Sequence, residues 1–154
     1  MSTQDVFSSV GTVLSVSASL PTTENLAGFE ALTYTAVGLA SEVPEFGVQQ
    51  AIATFVPLST GITIKRGGSI DNGELTVPLA LTGSDAGEGI LRTKAEGTPT
   101  SDKRVSVRVA LSNGDFAYFV AFVNAFRYTP GNADAIAQAS VGLAVTSTVV
   151  YDAN

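Results

Sequence analysis

Between residues 13 and 20 apolar and small polar side chains alternate strictly. Leu14, Val16, Ala18 and Leu20 share one face, and Ser15, Ser17 and Ser19 share the other. A period of two is that of a half-buried strand, and Pro21 ends it. Thr22 and Thr23 are candidate caps for a short helix whose first turn carries Glu24 and whose Leu26 and Phe29 face inward. Strand patterning returns from Leu32 through Tyr34, Val37 and Leu39, and residues 48–58 predict a further strand with mixed faces. Residues 57–73 hold Thr60-Gly61, Arg66-Gly67-Gly68 and Asp71-Asn72-Gly73, and predict an extended loop or a loose hairpin.

In the second half Leu75, Val77, Leu79 and Leu81 make a clean alternating face, with Pro78 acceptable only on an edge or exposed side. Ser84 to Glu88 opens a second short helix, acidic at its start and carrying Arg92 and Lys94 at its end, as the helix dipole favours. After a polar loop at 96–103, Val105, Val107, Val109 and Leu111 form a strand with Arg104, Ser106 and Arg108 outward. Ser112-Asn113-Gly114-Asp115 is a hairpin turn. Residues 116–128 are apolar on both faces, which predicts a central strand. Pro130-Gly131 and a helical turn near Asp134 lead to a last strand, with Ala137, Ala139, Val141, Leu143 and Val145 inward and Gln138, Ser140, Thr146 and Thr148 outward. The pattern predicts a mainly β, antiparallel sandwich or barrel with a flanking helix, as a single domain over 1–154. Residues 1–9 are expected to be an extended arm.

Composition adds a condition to this picture. Apolar residues make up 45% of the chain and charged residues only 14%, well below the usual quarter. Ser, Thr, Gly and Ala replace the missing charge, as suits strands covered by neighbours, so self-association is expected. The net charge is −6, which opposes tight binding to a phosphate backbone. No Lys, Arg or His occurs before Lys65, whereas Glu24, Glu30, Glu42 and Glu45 all fall within 21–47. The N-terminus lacks the basic and apolar regions of a signal peptide, and no apolar run approaches the length of a membrane helix. A soluble chain made in the cytoplasm is expected.

The chemistry available is sparse. Without His or Cys, the usual general base and thiol nucleophile are missing. Glu42 and Glu45 flank Pro44 and could imitate a glycosidase pair, but in a turn they read more simply as an acidic rim. Asp71-Asn72-Gly73-Glu74 and Asn113-Gly114-Asp115 offer oxygens to a cation without fitting a calcium loop, and both are turn sequences. Gly83, Gly87 and Gly89 match no phosphate-binding spacing. Lys65-Arg66 and Lys103-Arg104 are the adjacent basic pairs, suited to bridging a neighbour's carboxylates. Phe116, Tyr118, Phe119, Phe122, Phe126 and Tyr128 lie at strand spacing and read as core. No enzyme, cofactor or metal is expected.

Several of these segments, taken in order, resemble the tail tube proteins (major tail proteins) of long, non-contractile-tailed bacteriophages. The blocks are Pro21-Thr22-Thr23-Glu24-Asn25, Ala27-Gly28-Phe29-Glu30-Ala31-Leu32-Thr33-Tyr34, Val37-Gly38 and Glu45-Phe46-Gly47. Lys65-Arg66-Gly67-Gly68-Ser69-Ile70-Asp71-Asn72-Gly73, the helix over 85–95, the strand over 116–126 and Gly131-Asn132-Ala133-Asp134 follow. Tyr34 stands where that family often has Trp.

The resemblance implies a virion structural protein that forms hexameric rings, with sheets joined into a continuous barrel. Those rings stack into a tube around a tape-measure protein, with tail terminator and baseplate or tail-tip proteins as partners. DNA passes through the lumen during ejection without specific binding, and no membrane partner is implied. Within that frame Glu42 and Glu45 are expected to line or rim the lumen, where negative potential keeps DNA from sticking. Lys65, Arg66 and Asp71 are expected at contacts between subunits or rings. An inner tube subunit of a contractile injection system, and a carbohydrate-binding β-sandwich adhesin, are the alternatives.

Overall fold

The protein is described by a computed structural model over residues 6–153. Its elements are β1 (Val13–Ser17), α1 (Leu26–Glu30), β2 (Thr35–Ala36), β3 (Gln49–Phe55), β4 (Ile64–Asp71) and β5 (Glu74–Ala80). They continue with α2 (Ala86–Ala95), β6 (Arg104–Ala110), β7 (Phe116–Thr129), β8 (Gln138–Val145) and β9 (Val150–Asp152). A seven-stranded antiparallel sheet runs β2-β1-β6-β7-β8-β5, with β9 also on β7, and β3–β4 form a separate two-stranded sheet.

The large sheet curls until its edges meet through one short segment. Val37 N donates to Leu14 O at 2.8 Å on the β1 side. Two and four residues on, Ala80 N donates to Leu39 O at 3.1 Å and Ser41 N to Pro78 O at 3.0 Å on the β5 side. Residues 35–41 thus stitch both edges and make the body barrel-like. Pro78, which cannot donate, sits where this design needs only its carbonyl.

The barrel encloses Leu14, Val16, Leu75, Val77, Leu79, Val105, Val107, Phe119, Val123, Val141 and Leu143, with Leu91 of α2 packed among them. Gly87 lets α2 approach β2 closely, because a Cβ there would lie 2.5 Å from Ala36 O. Glu88 is buried at the start of α2, where its carboxylate accepts from Thr82 N and Oγ1 and pairs with Arg92. The Arg92 guanidinium in turn lies 5.3 Å from the Phe126 ring centroid, which ties α2 to β7.

A second, smaller layer covers the opposite face of β6 and β7. Successive residues of β7 point to opposite faces, so Phe119 enters the barrel while Tyr118 and Val120 join Phe29 of α1. Phe29 stacks on Tyr118 with ring centroids 5.7 Å apart, and Arg108 lies over Tyr34 and Phe116. The polar faces of β1 and β6, expected outward, are therefore covered. Ser15, Ser17 and Ser106 are buried, and Ser106 Oγ donates to Ser19 O at 2.8 Å.

Local departures from the sequence-based expectations have plain causes. Asn25 caps α1 by accepting from Gly28 N at 2.9 Å, with Thr23 Oγ1 donating to it, so Glu24 lies before the helix. The strand expected from Leu32 shrinks to Thr35–Ala36, because residues 37–41 cross to β5. The last strand divides: Val120 N donates to Ser147 Oγ at 2.8 Å between β8 and β9, and a side chain fills a ladder position. Phe122 and Tyr128, read as core, are exposed on the far half of β7. Residues 6–9 are exposed and carry no helix or strand, and 1–5 of the expected arm lie outside the described residues.

Two outcomes follow from the second layer. Phe29→Ala is expected to cost about 3–5 kcal/mol of unfolding free energy, read by chemical denaturation; a loss under about 1 kcal/mol would show that α1 is not anchored by this ring. Burial pushes Tyr34 up from 10.0 to about 12, aided by Tyr118 and opposed by Arg108. The unfolded chain then ionises first, so this contribution is complete below pH 10 and is lost as pH rises towards about 12. Tyr34→Phe should flatten that alkaline slope; an unchanged slope would assign it to other tyrosines.

Candidate functional site

The most unusual feature of the molecule is the hairpin of β3 and β4. Every residue of both strands is exposed, yet Ile52, Phe55, Ile64 and Ile70 lie on them and Val56, Leu58 and Ile62 form the tip. Residues 64–71, expected as loop or loose hairpin, pair with β3 in register from Phe55↔Ile64 to Gln49↔Asp71. An irregularity opposite Gly67 and Gly68 breaks the alternation there, and it is why the turn-like glycines read as loop. A Cβ on Gly67 would lie 2.4 Å from the end of the Gln50 side chain, which would have to move aside.

Alternation places Phe55, Ile64 and Arg66 on one face, and Ile52 and Lys65 on the other. Both faces therefore present apolar surface and one base each. An isolated two-stranded hairpin is marginal in water, and neither outer edge of this one is paired. Its base is firmly held. Gly47 N donates to Asn72 O at 3.2 Å, and the Phe46 ring meets Phe119 of the core with centroids 5.0 Å apart. Asp71, at the end of β4, accepts from Gly73 N at 3.0 Å and closes the turn into β5.

Beside this base an open groove of about 750 Å³ runs between residues 9–14 and 36–46. Val10, Val13, Leu39, Ala40, Val43, Phe46 and Leu111 supply apolar lining, Glu42 supplies a carboxylate, and no base lines it. Asp85 reaches the same place, accepting from Gly38 N at 2.8 Å. Leu39 stands at φ 58, the left-handed region, with its side chain 64% exposed. A leucine there carries about 1–2 kcal/mol of backbone strain in addition to the cost of exposed apolar surface.

The two carboxylates singled out from sequence thus separate: Glu42 lines the groove, whereas Glu45 is exposed outside it. The two basic pairs differ as well. Arg104 is spent on its own chain, reaching both oxygens of Asp102 at 3.0 and 3.1 Å and drawing that carboxyl down to about 2. Lys103 Nζ donates to Ala95 O at 3.2 Å. Lys65 and Arg66 meet no carboxylate among the described residues; Arg66 Nη1 instead donates to Lys65 O at 3.0 Å. A further free edge is found on β7. β6 pairs with it only as far as Phe122, so beyond Val123 the strand is bonded to β8 alone.

Among the described residues no cluster of three or more His, Cys, Asp or Glu could hold a metal ion, and no helix is long and apolar enough to cross a membrane. Sequence reading missed the groove, since Val10, Leu39 and Leu111 come from separate segments. The positive φ at Leu39 leaves no mark in a sequence.

No protein-family model matches the chain, and no curated protein matches it by sequence. Solved structures do share its fold. A chain in the cryo-EM structure of the anti-feeding prophage (AFP) baseplate, 6-fold symmetrised, is similar over 98% of this chain and 97% of its own, with a TM-score of 0.73 and 9% identity. A chain of the PVC sheath/tube terminator in the extended state, from an extracellular contractile injection system, is similar over 96% and 97%, with a TM-score of 0.64 and 11% identity. The chain therefore has a fold found in the particles of contractile injection systems.

Proposed function

We propose that the chain is a structural subunit of a phage-tail-like tube, non-catalytic, whose copies join head to tail into six-membered rings that stack around a channel. The observation that carries this reading is the exposed β3–β4 hairpin. It has apolar side chains on both faces and two free edges, so its burial calls for neighbours on both sides. The unpaired end of β7 offers a strand edge to which such a hairpin can add. Six-fold order is supported by the symmetry named for the anti-feeding prophage baseplate, whose chain shares the fold. Lys65, Arg66 and Asp71 then lie in the subunit contact. Tape-measure, terminator and baseplate or tail-tip proteins are the partners at the ends and within.

In a non-contractile tail the cargo is DNA, repelled by an acidic wall to which Glu45 contributes. The second reading, an inner tube or terminator subunit of a contractile injection system, is favoured by the origin of both similar structures. A contractile sheath around the tube would separate the two.

Electron microscopy of the purified protein is expected to show hollow rings or tubes; a monodisperse monomer at high concentration would refute the reading. Replacing residues 48–71 by a short glycine turn is expected to abolish assembly without lowering the melting temperature, because Gly47 and Asn72 are already hydrogen-bonded neighbours. Rings formed by that truncated chain would remove the hairpin from the mechanism. In a tube reconstruction Glu45 should face the channel, and its placement on the outer wall would overturn its role.

A further inference from the structure

We infer that the apolar groove between residues 9–14 and 36–46 is the receptor for the β3–β4 hairpin tip of a second copy. The two surfaces match in chemistry. The tip is apolar, with Phe55, Val56, Leu58 and Ile62 exposed and Leu58 entirely so. The groove is concave, open and lined by apolar side chains. Lys65 and Arg66 stand directly behind the tip, opposite Thr54 and Ala53, and neither is paired to a carboxylate among the described residues. Glu42 lines the groove, Asp85 is held beside it by Gly38 N, and no base among the described residues lines the wall.

The tip cannot fill the groove of its own chain. The groove ends at Phe46, where the hairpin leaves the body, and the seven residues of β3 carry the tip about 20 Å away. Folding back would dissolve the whole β3–β4 ladder. The occupant is therefore another copy, and the contact is heterologous: tip of one, groove of the next. Contacts of that kind close into rings or run on as stacks. The strained, exposed Leu39 fits this role, since its side chain is displayed in the groove at a backbone cost that an empty surface does not repay. The inference rests on the self-assembly proposed above, but not on what the assembly conveys.

The chain has no cysteine, so single cysteines report cleanly. Chains carrying Leu58→Cys (tip) and Val10→Cys (groove), one of them tagged, are mixed, assembled and treated with a short bis-maleimide. The mixed cross-link is expected at roughly tenfold or more above Leu58→Cys alone, a preference of about 1.4 kcal/mol. Adding Lys65→Glu and Arg66→Glu to the tip chain should lower its yield roughly tenfold, with partial recovery when the groove chain carries Glu42→Lys. These sites are exposed, and unchanged circular dichroism and melting of each variant confirm that folding is intact.

Tip-to-tip cross-links as abundant as mixed ones would overturn the inference. So would ring or tube particles, seen by microscopy, that yield no mixed cross-link, and in that case the tube reading stands alone. Mixed cross-links in a sample without rings or tubes would support the contact and refute the tube.

Discussion

The fold depends on β7, a strand of 14 residues that has no solvent face over its first six. Phe119, Ala121 and Val123 fill the barrel while Tyr118 and Val120 fill the layer beneath α1. Its backbone is bonded to β6 on one side and to β9 and then β8 on the other. Both apolar layers of the molecule therefore hang on one strand, and the alternation of its side chains decides which residue enters which layer. Where β6 stops, β7 continues to Thr129 with Tyr128 exposed and one edge free. The rigid centre and the free end are parts of the same element.

That continuity bears on how an exposed hairpin can be tolerated. β3 and β4 bury nothing of their own, yet Phe46 fixes their base against Phe119. The hairpin is thus aimed by the most rigid part of the fold. Apolar side chains held outward at a fixed angle give up little further entropy when a neighbour covers them, which is the advantage of a preorganised surface. A flexible loop with the same composition would be expected to collapse onto the body instead.

Much of this was legible in the chain. The alternation in 75–79, 105–109 and 139–143 marks three buried strands, and the two-sided apolar run from Phe116 marks the centre. The polar faces misled. Ser15, Ser17 and Ser106 alternate as solvated residues do, but a layer of one helical turn and the rings of Phe29, Tyr34, Phe116 and Tyr118 covers them. Small hydroxyls are compatible with either environment, because each can be satisfied by a nearby carbonyl. The hairpin was obscured by glycines at 67 and 68, which signal a turn but here sit at an irregularity in the β3–β4 ladder. The groove was beyond sequence reading, because its walls meet only when residues 35–41 stitch β1 to β5. Of the residues named in advance, Lys65, Arg66 and Asp71 do share one element, whereas Glu42 and Glu45 part company.

The distribution of charge gives the architecture a direction. Every base lies at or after Lys65, and the first two met along the chain stand behind the hairpin tip. Two hairpins approaching each other tip to tip would oppose like charges on each face, a cost that discourages symmetric pairing of their apolar ends. The end of the fold built from residues 9–14 and 36–46 offers the reverse, apolar walls with the Glu42 carboxylate and, among the described residues, no base. Attraction therefore runs from tip to groove and repulsion from tip to tip, which favours a directional contact over a closed two-fold dimer. In the proposed assembly, a chain with so few charges sets two of its bases to keep an exposed apolar hairpin from the wrong partner and to steer it toward another copy of itself.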